Sequence, residues 1–186
     1  MITPVILAEN KPFNLPSPED IIEQVRAASS NSNGLPGVPL IDESSGTTPY
    51  ALVRSGKTIT MGGALTQQFI SKALNGKADT AVRVPCVYLA FQVGRQGFIV
   101  MEYIDGEKCD DSDAALISTA VESLITVRGP TAAPGPVGGG PIRHYFFTEE
   151  SPITYDSVKE LEDHINGVSA SSLISPCPSR TIAGSG

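Results

Sequence analysis

The sequence predicts an α+β fold, and three observations carry that expectation. Gly97-Phe98-Ile99-Val100-Met101-Glu102-Tyr103-Ile104-Asp105-Gly106 is an apolar strand running into an acidic, Gly-containing bend. A second apolar run, Val84-Pro85-Cys86-Val87-Tyr88-Leu89-Ala90-Phe91, precedes it, and Val93-Gly94-Arg95-Gln96-Gly97 closes the two into a hairpin. Elsewhere apolar residues recur at helical spacing, most clearly at Leu116, Ile117, Ala120, Val121, Leu124 and Ile125.

The elements follow in chain order. Ser17-Pro18-Glu19-Asp20 starts a helix: Ser17 caps, Pro18 suits the first helical position, and the two acids favour the positive end of the dipole. Ile21, Ile22, Val25 and Ala28 share a face, and the helix is expected to end near Ser29. Residues 29–49 are rich in Ser, Asn, Gly and Pro and are expected to form a mobile loop. Tyr50–Arg54 and Thr58–Met61 predict a second hairpin around Ser55-Gly56-Lys57. Leu65, Phe69, Ile70, Ala73 and Leu74 mark a helix that Asn75-Gly76 ends. After the central hairpin, Asp110, Asp111 or Ser112 can cap the amphipathic helix, and Gly129-Pro130 stops it. Residues 133–141 must be irregular, with positive φ at the Gly138–Gly140 run. Tyr155, Val158, Leu161 and Ile165 mark a last helix ended by Asn166-Gly167. The division expected is 1–49 (helix and loop), 50–166 (folded domain) and 167–186 (disordered tail).

Composition narrows the function classes. The chain has 186 residues, of which 40% are hydrophobic and 18% charged, enough for one domain with a core. A net charge of −7 without a Lys/Arg cluster opposes binding to nucleic acid. Cys86, Cys109 and Cys177 are odd in number and irregular in spacing, which argues against a disulfide framework or a zinc site. Met1–Ala8 lacks a basic region and holds Pro4, so no secretory signal is expected. No apolar run approaches the roughly 18 residues of a membrane span, and the expected location is the cytoplasm. Gly56-Lys57-Thr58 is not a P-loop, because the leading Gly is replaced by Ala51.

The order of helix, loop, hairpin, helix, hairpin, helix, Gly-rich loop and helix resembles the small lobe and first large-lobe helices of the aminoglycoside phosphotransferase and choline kinase-like family, fungal members above all. Val84-Pro85-Cys86-Val87-Tyr88 is similar to that family's "VPxVY" strand, Ile99–Gly106 to its "IVMEYIxG" segment, and Gly138–Arg143 to its "GGGPxR" loop. The likeness covers roughly residues 50–166. It implies a kinase-like antiparallel sheet with a packed helix, a backbone edge at Glu102, Tyr103 and Ile104 facing an adenine ring, and Met101 at the back of that pocket. ATP is the implied cofactor, bound weakly, with Mg only alongside it.

The resemblance also exposes gaps. Where the family has a strand Lys for the phosphates, this chain has Met61; Lys57, four residues earlier, serves only if the strand shifts. Gln67 and Gln68 stand where a helix Glu is expected, and a neutral amide forms no ion pair. His144 and His164 are followed at the second position by Phe146 and Asn166, so neither begins the family's His-x-Asp catalytic loop. The expectation is a truncated, pseudokinase-like chain with no catalytic residue and no metal ligands of its own, whose base and metal carboxylates are missing. An alternative reading is an interaction or oligomerisation module that offers the apolar face of the 113–127 helix, or of the last helix, to a protein partner.

Overall fold

A computed structural model describes residues 4–8, 11–29, 37–42, 46–78, 80 and 82–172. They divide into two compact units, one of residues up to 130 together with 136–140, the other of 131–135 together with residues from 141 onward. The fold is α+β, as the sequence predicts.

The first unit is built on a five-stranded, wholly antiparallel sheet in the order β1-β4-β5-β3-β2, comprising β1 (Pro4–Leu7), β2 (Val38–Ile41), β3 (Pro49–Gly56), β4 (Val87–Val93) and β5 (Gln96–Glu102). β4 and β5 form the expected hairpin, closed by Gly94-Arg95. β5 is central, paired with β4 on one side and β3 on the other, Ala51 opposite Glu102 and Gly56 opposite Gly97. A bulge at Tyr88 lets Val87 and Leu89 project to opposite faces although only one residue separates them.

Each sheet face carries its own core. On one, α1 (Pro18–Ser29) sets Ile21 and Val25 against Leu40, Ala51, Val53, Leu89, Phe91, Phe98 and Val100. Ser17 caps α1 as expected, its Oγ accepting the Asp20 N–H at 3.2 Å. On the other face, α2 (Met61–Leu74) covers Val87, Ala90, Ile99 and Met101, with Leu52, Ile59 and Leu65 packed around them. Beyond the sheet, Asp110 caps a 3-10 turn at Asp111–Asp113 that leads into α3 (Ala114–Ile125). Two hydrogen bonds from Ser112 to the Asp110 carboxylate hold that acid below its ordinary pKa.

Four expectations need correction. Residues 38–41, assigned to a loop, are the edge strand β2. Its Pro39 is tolerated because an edge strand leaves half its N–H groups unpaired. The strand expected at Thr58–Met61 does not exist: Lys57 and Thr58 turn, and Met61 begins α2. The cause is a cap, since Thr60 Oγ1 accepts the Gly63 N–H at 3.0 Å. Thr60→Ala is expected to lower unfolding stability by about 1 kcal/mol, read from urea denaturation. β4 begins at Val87, leaving Val84-Pro85-Cys86 outside the sheet, and β5 ends at Glu102, short of Tyr103 and Ile104. Asn166-Gly167 does not end the last helix, α4 (Val158–Ser172). Of the expected tail, 173–186 lie outside the described residues, as do 30–36 and 43–45 of the expected loop.

The irregular segment Pro136–Gly140 has positive φ at Gly138, Gly139 and Gly140, as expected. It packs on the first turns of α2, with the Val137 N–H donating to Thr66 Oγ1 at 2.9 Å. In the second unit, Ile142 and Ser151 are tied by two hydrogen bonds. There Tyr155 is buried with its hydroxyl 2.9 Å from His164 Nδ1, and Phe147 packs beside both rings.

Candidate functional site

The candidate site is the end of β5. Because opposed residues in an antiparallel pair share a face, Leu52 with Met101 and Arg54 with Ile99 all lie on the α2 side of the sheet. α2 covers the β1 and β4 part of that side. Toward β2 the cover stops: Pro39, Ile41 and Arg54 are exposed, Ile41 by 48%.

Met101 is buried in the core under α2, and its sulfur lies 3.4 Å from Gln67 Nε2. Glu102 is the last strand residue, its N–H donating to Cys86 O at 2.8 Å. Its carboxylate pairs with Arg83 and accepts the Cys86 N–H at 3.2 Å. That charge, second to partial burial, pushes the Tyr88 phenol above its ordinary pKa. Tyr103 and Ile104 then leave the sheet: the Glu102 N–H faces Cys86, so Tyr103, one residue on, turns its backbone toward β3, where Ala51 is the partner of Glu102. Tyr103 is half-buried and Ile104 is 42% exposed. The Pro136–Gly140 segment packs on α2 instead of this edge.

Lys57 is not brought to the strand face; it sits in the turn between β3 and α2. Met61 is not on a strand at all. The cation the strand does carry is Arg54, missed because the expected hairpin put the relevant strand after Lys57. Its signal was a single basic residue directly after the apolar run Tyr50–Val53. Arg54 lies three residues from Ala51, the partner of Glu102, which is about 10 Å along β3. Gln67 was noted only for lacking a charge; here its amide donates to Pro85 O at 3.0 Å, beside the Met101 sulfur.

A hollow of about 620 Å³ lies elsewhere in this unit, lined by Leu74, Lys77, Thr80, Thr119 and Glu122 among others. It does not include the β5 end, and the Thr119, Ser123 and Thr126 hydroxyls on its wall donate to backbone carbonyls of their own helix. Among the described residues no group of three or more His, Cys, Asp or Glu is placed to hold a metal ion. No described helix is long and apolar enough to cross a membrane. Comparison with protein-family models, with curated proteins and with solved structures found no match to the chain.

Proposed function

We propose that this chain is a nucleotide-binding lobe of the small-molecule kinase type, related to the aminoglycoside phosphotransferases, that holds ATP weakly and transfers no phosphate on its own. The observation that carries the reading is the exit of Tyr103 and Ile104 from the end of a central strand, beside a part of the sheet that α2 does not cover. A purine edge needs one donor and one acceptor in a plane, and backbone groups emerging from a strand supply both. The strand order β3-β5-β4, with a helix inserted between β3 and β4, suits the same reading. Arg54, not Lys57, is the cation proposed for the phosphates, because strand pairing fixes its distance from the base edge.

The residues fit the base-holding half of such a site and not the metal half. No acidic cluster stands ready for Mg among the described residues, and neither His begins a His-x-Asp segment. Turnover is therefore not expected from this chain by itself.

Isothermal titration with ATP, paired with thermal shift, tests the reading. Binding to the folded state alone raises Tm as ATP increases. Arg54→Ala is expected to weaken ATP by about tenfold and adenosine by less than twofold, the fold-change of one charged hydrogen bond at roughly 1.5 kcal/mol. Indifference of the wild-type protein to millimolar ATP would count against the proposal. A second reading is favoured by one observation: α3 leaves Leu116, Ile117, Val121, Leu124 and Ile125 exposed, Leu116 by 70% and Ile125 by 73%. If the protein forms a stable oligomer whose size and Tm ignore ATP, an interaction module is the better account.

A further inference from the structure

The segment Val82–Cys86 runs beside the end of β5 without belonging to the sheet, yet its polar backbone is tied at every step from Val84 to Cys86. Asn75, just after α2, bonds both backbone groups of Val84, Nδ2 to the carbonyl at 2.7 Å and Oδ1 from the N–H at 3.0 Å. Gln67 of α2 bonds the Pro85 carbonyl at 3.0 Å. Glu102 takes the Cys86 N–H on its carboxylate and gives its own N–H to the Cys86 carbonyl. Arg83 closes the ring by pairing with that same carboxylate. Three side chains thus replace the ladder bonds a strand would have had. Two belong to α2 and its cap, and one is the last residue of β5.

Of the residues just beyond, Tyr103 turns its backbone toward β3, and Ile104, 42% exposed, follows it out of the sheet. On the β4 side, that exit is held through Glu102. We infer that the Arg83–Glu102–Cys86 clamp is a positioning device: it sets the direction in which the chain leaves β5, and with it the edge that Tyr103 and Ile104 present to a planar hydrogen-bonding ligand. The ligand rests on the proposed nucleotide reading; the positioning does not. Arg83 is 68% exposed, so its loss is expected to disturb the packing little.

Backbone ¹⁵N relaxation on the ligand-free protein reads the positioning directly. With the clamp intact, order parameters at Tyr103 and Ile104 are expected near the rigid value of about 0.85; in Glu102→Ala they are expected to fall below about 0.6. Arg83→Met, which removes the ion pair at a surface position, is expected to give a smaller fall with Tm nearly unchanged. Glu102→Gln, which keeps an acceptor for the Cys86 N–H, should restore most of the order. Unchanged order at Tyr103 and Ile104 in both Glu102→Ala and Arg83→Met overturns the inference, whatever ATP does. If order falls and wild-type protein ignores ATP, the clamp stands and the nucleotide reading falls. If wild-type protein binds ATP, Glu102→Ala should weaken it by about tenfold through lost preorganisation.

Discussion

Replacing Phe91 by Ala is expected to lower unfolding stability by about 3–5 kcal/mol. Phe91 is fully buried and stacks on Phe98 across the β4–β5 pair, with ring centroids 4.8 Å apart and planes within 6° of parallel. Both rings stand on the face that receives Ile21 and Val25 of α1. Truncation removes the ring's burial, leaves a cavity under α1, and loses a ring pair that itself contributes about 0.5–1.5 kcal/mol. Against a typical total of about 5–15 kcal/mol, this single change consumes much of the margin. Phe91→Leu keeps most of the volume and should cost about 1 kcal/mol. Urea denaturation followed by far-UV circular dichroism separates the two variants. A loss under about 1 kcal/mol for Phe91→Ala would mean that α1 does not rest on this face as described.

That core was legible because its signals are local. Ser17-Pro18-Glu19-Asp20 declares a helix start without help from the rest of the chain, and the β4–β5 hairpin joins two apolar runs through a short turn. The errors lie where local and non-local terms compete. Thr58-Ile59-Thr60-Met61 is β-branched and spells a strand, yet one hydrogen bond from the Gly63 N–H to Thr60 makes a helix cap more favourable. β2 was hidden because Pro39 and the surrounding Gly and Ser read as loop, and because its partner is chosen by burial of Leu40 beside Ala51.

The candidate site divides in the same way. Met101, Glu102, Tyr103 and Ile104 form one contiguous run, so naming them as a candidate edge needs no tertiary information. Arg54 depends on which residue of β3 faces Ile99, and the Arg83–Glu102 pair joins positions nineteen apart through an irregular segment. Spacing in the sequence carries no trace of either. For the phosphate contact proposed for Arg54, the residue type matters. A planar fork matches phosphate oxygens bidentately, where an ammonium acts as a point charge. Arg54→Lys is therefore an informative companion to Arg54→Ala.

Gly97→Ala is expected to cost about 3 kcal/mol, the upper end of what an added methyl does in a packed site. The reason is not conformational freedom, since φ at Gly97 is not positive. It is a neighbour: a Cβ built on Gly97 would stand 2.1 Å from the Ile59 carbonyl oxygen and 2.9 Å from its carbon. Carbon and oxygen tolerate about 3.3 Å, so the chain at Ile59 must retreat by about 1 Å. That atom is backbone, and it belongs to the turn in which the Ile59 N–H bonds Gly56 O at 3.2 Å, directly before the Thr60 cap. The retreat therefore drags the start of α2, and with it the cover over Ile99 and Met101. The cap supplies the discriminating measurement. If Gly97→Ala already pulls Thr60 from the Gly63 N–H, adding Thr60→Ala should cost well under its own 1 kcal/mol, a coupling that a double-mutant cycle reads as sub-additivity. Full additivity, or a Gly97→Ala loss below about 1 kcal/mol, would show that the β3–α2 turn yields without moving the helix. The close approach would then be incidental to how the hairpin and α2 are held together.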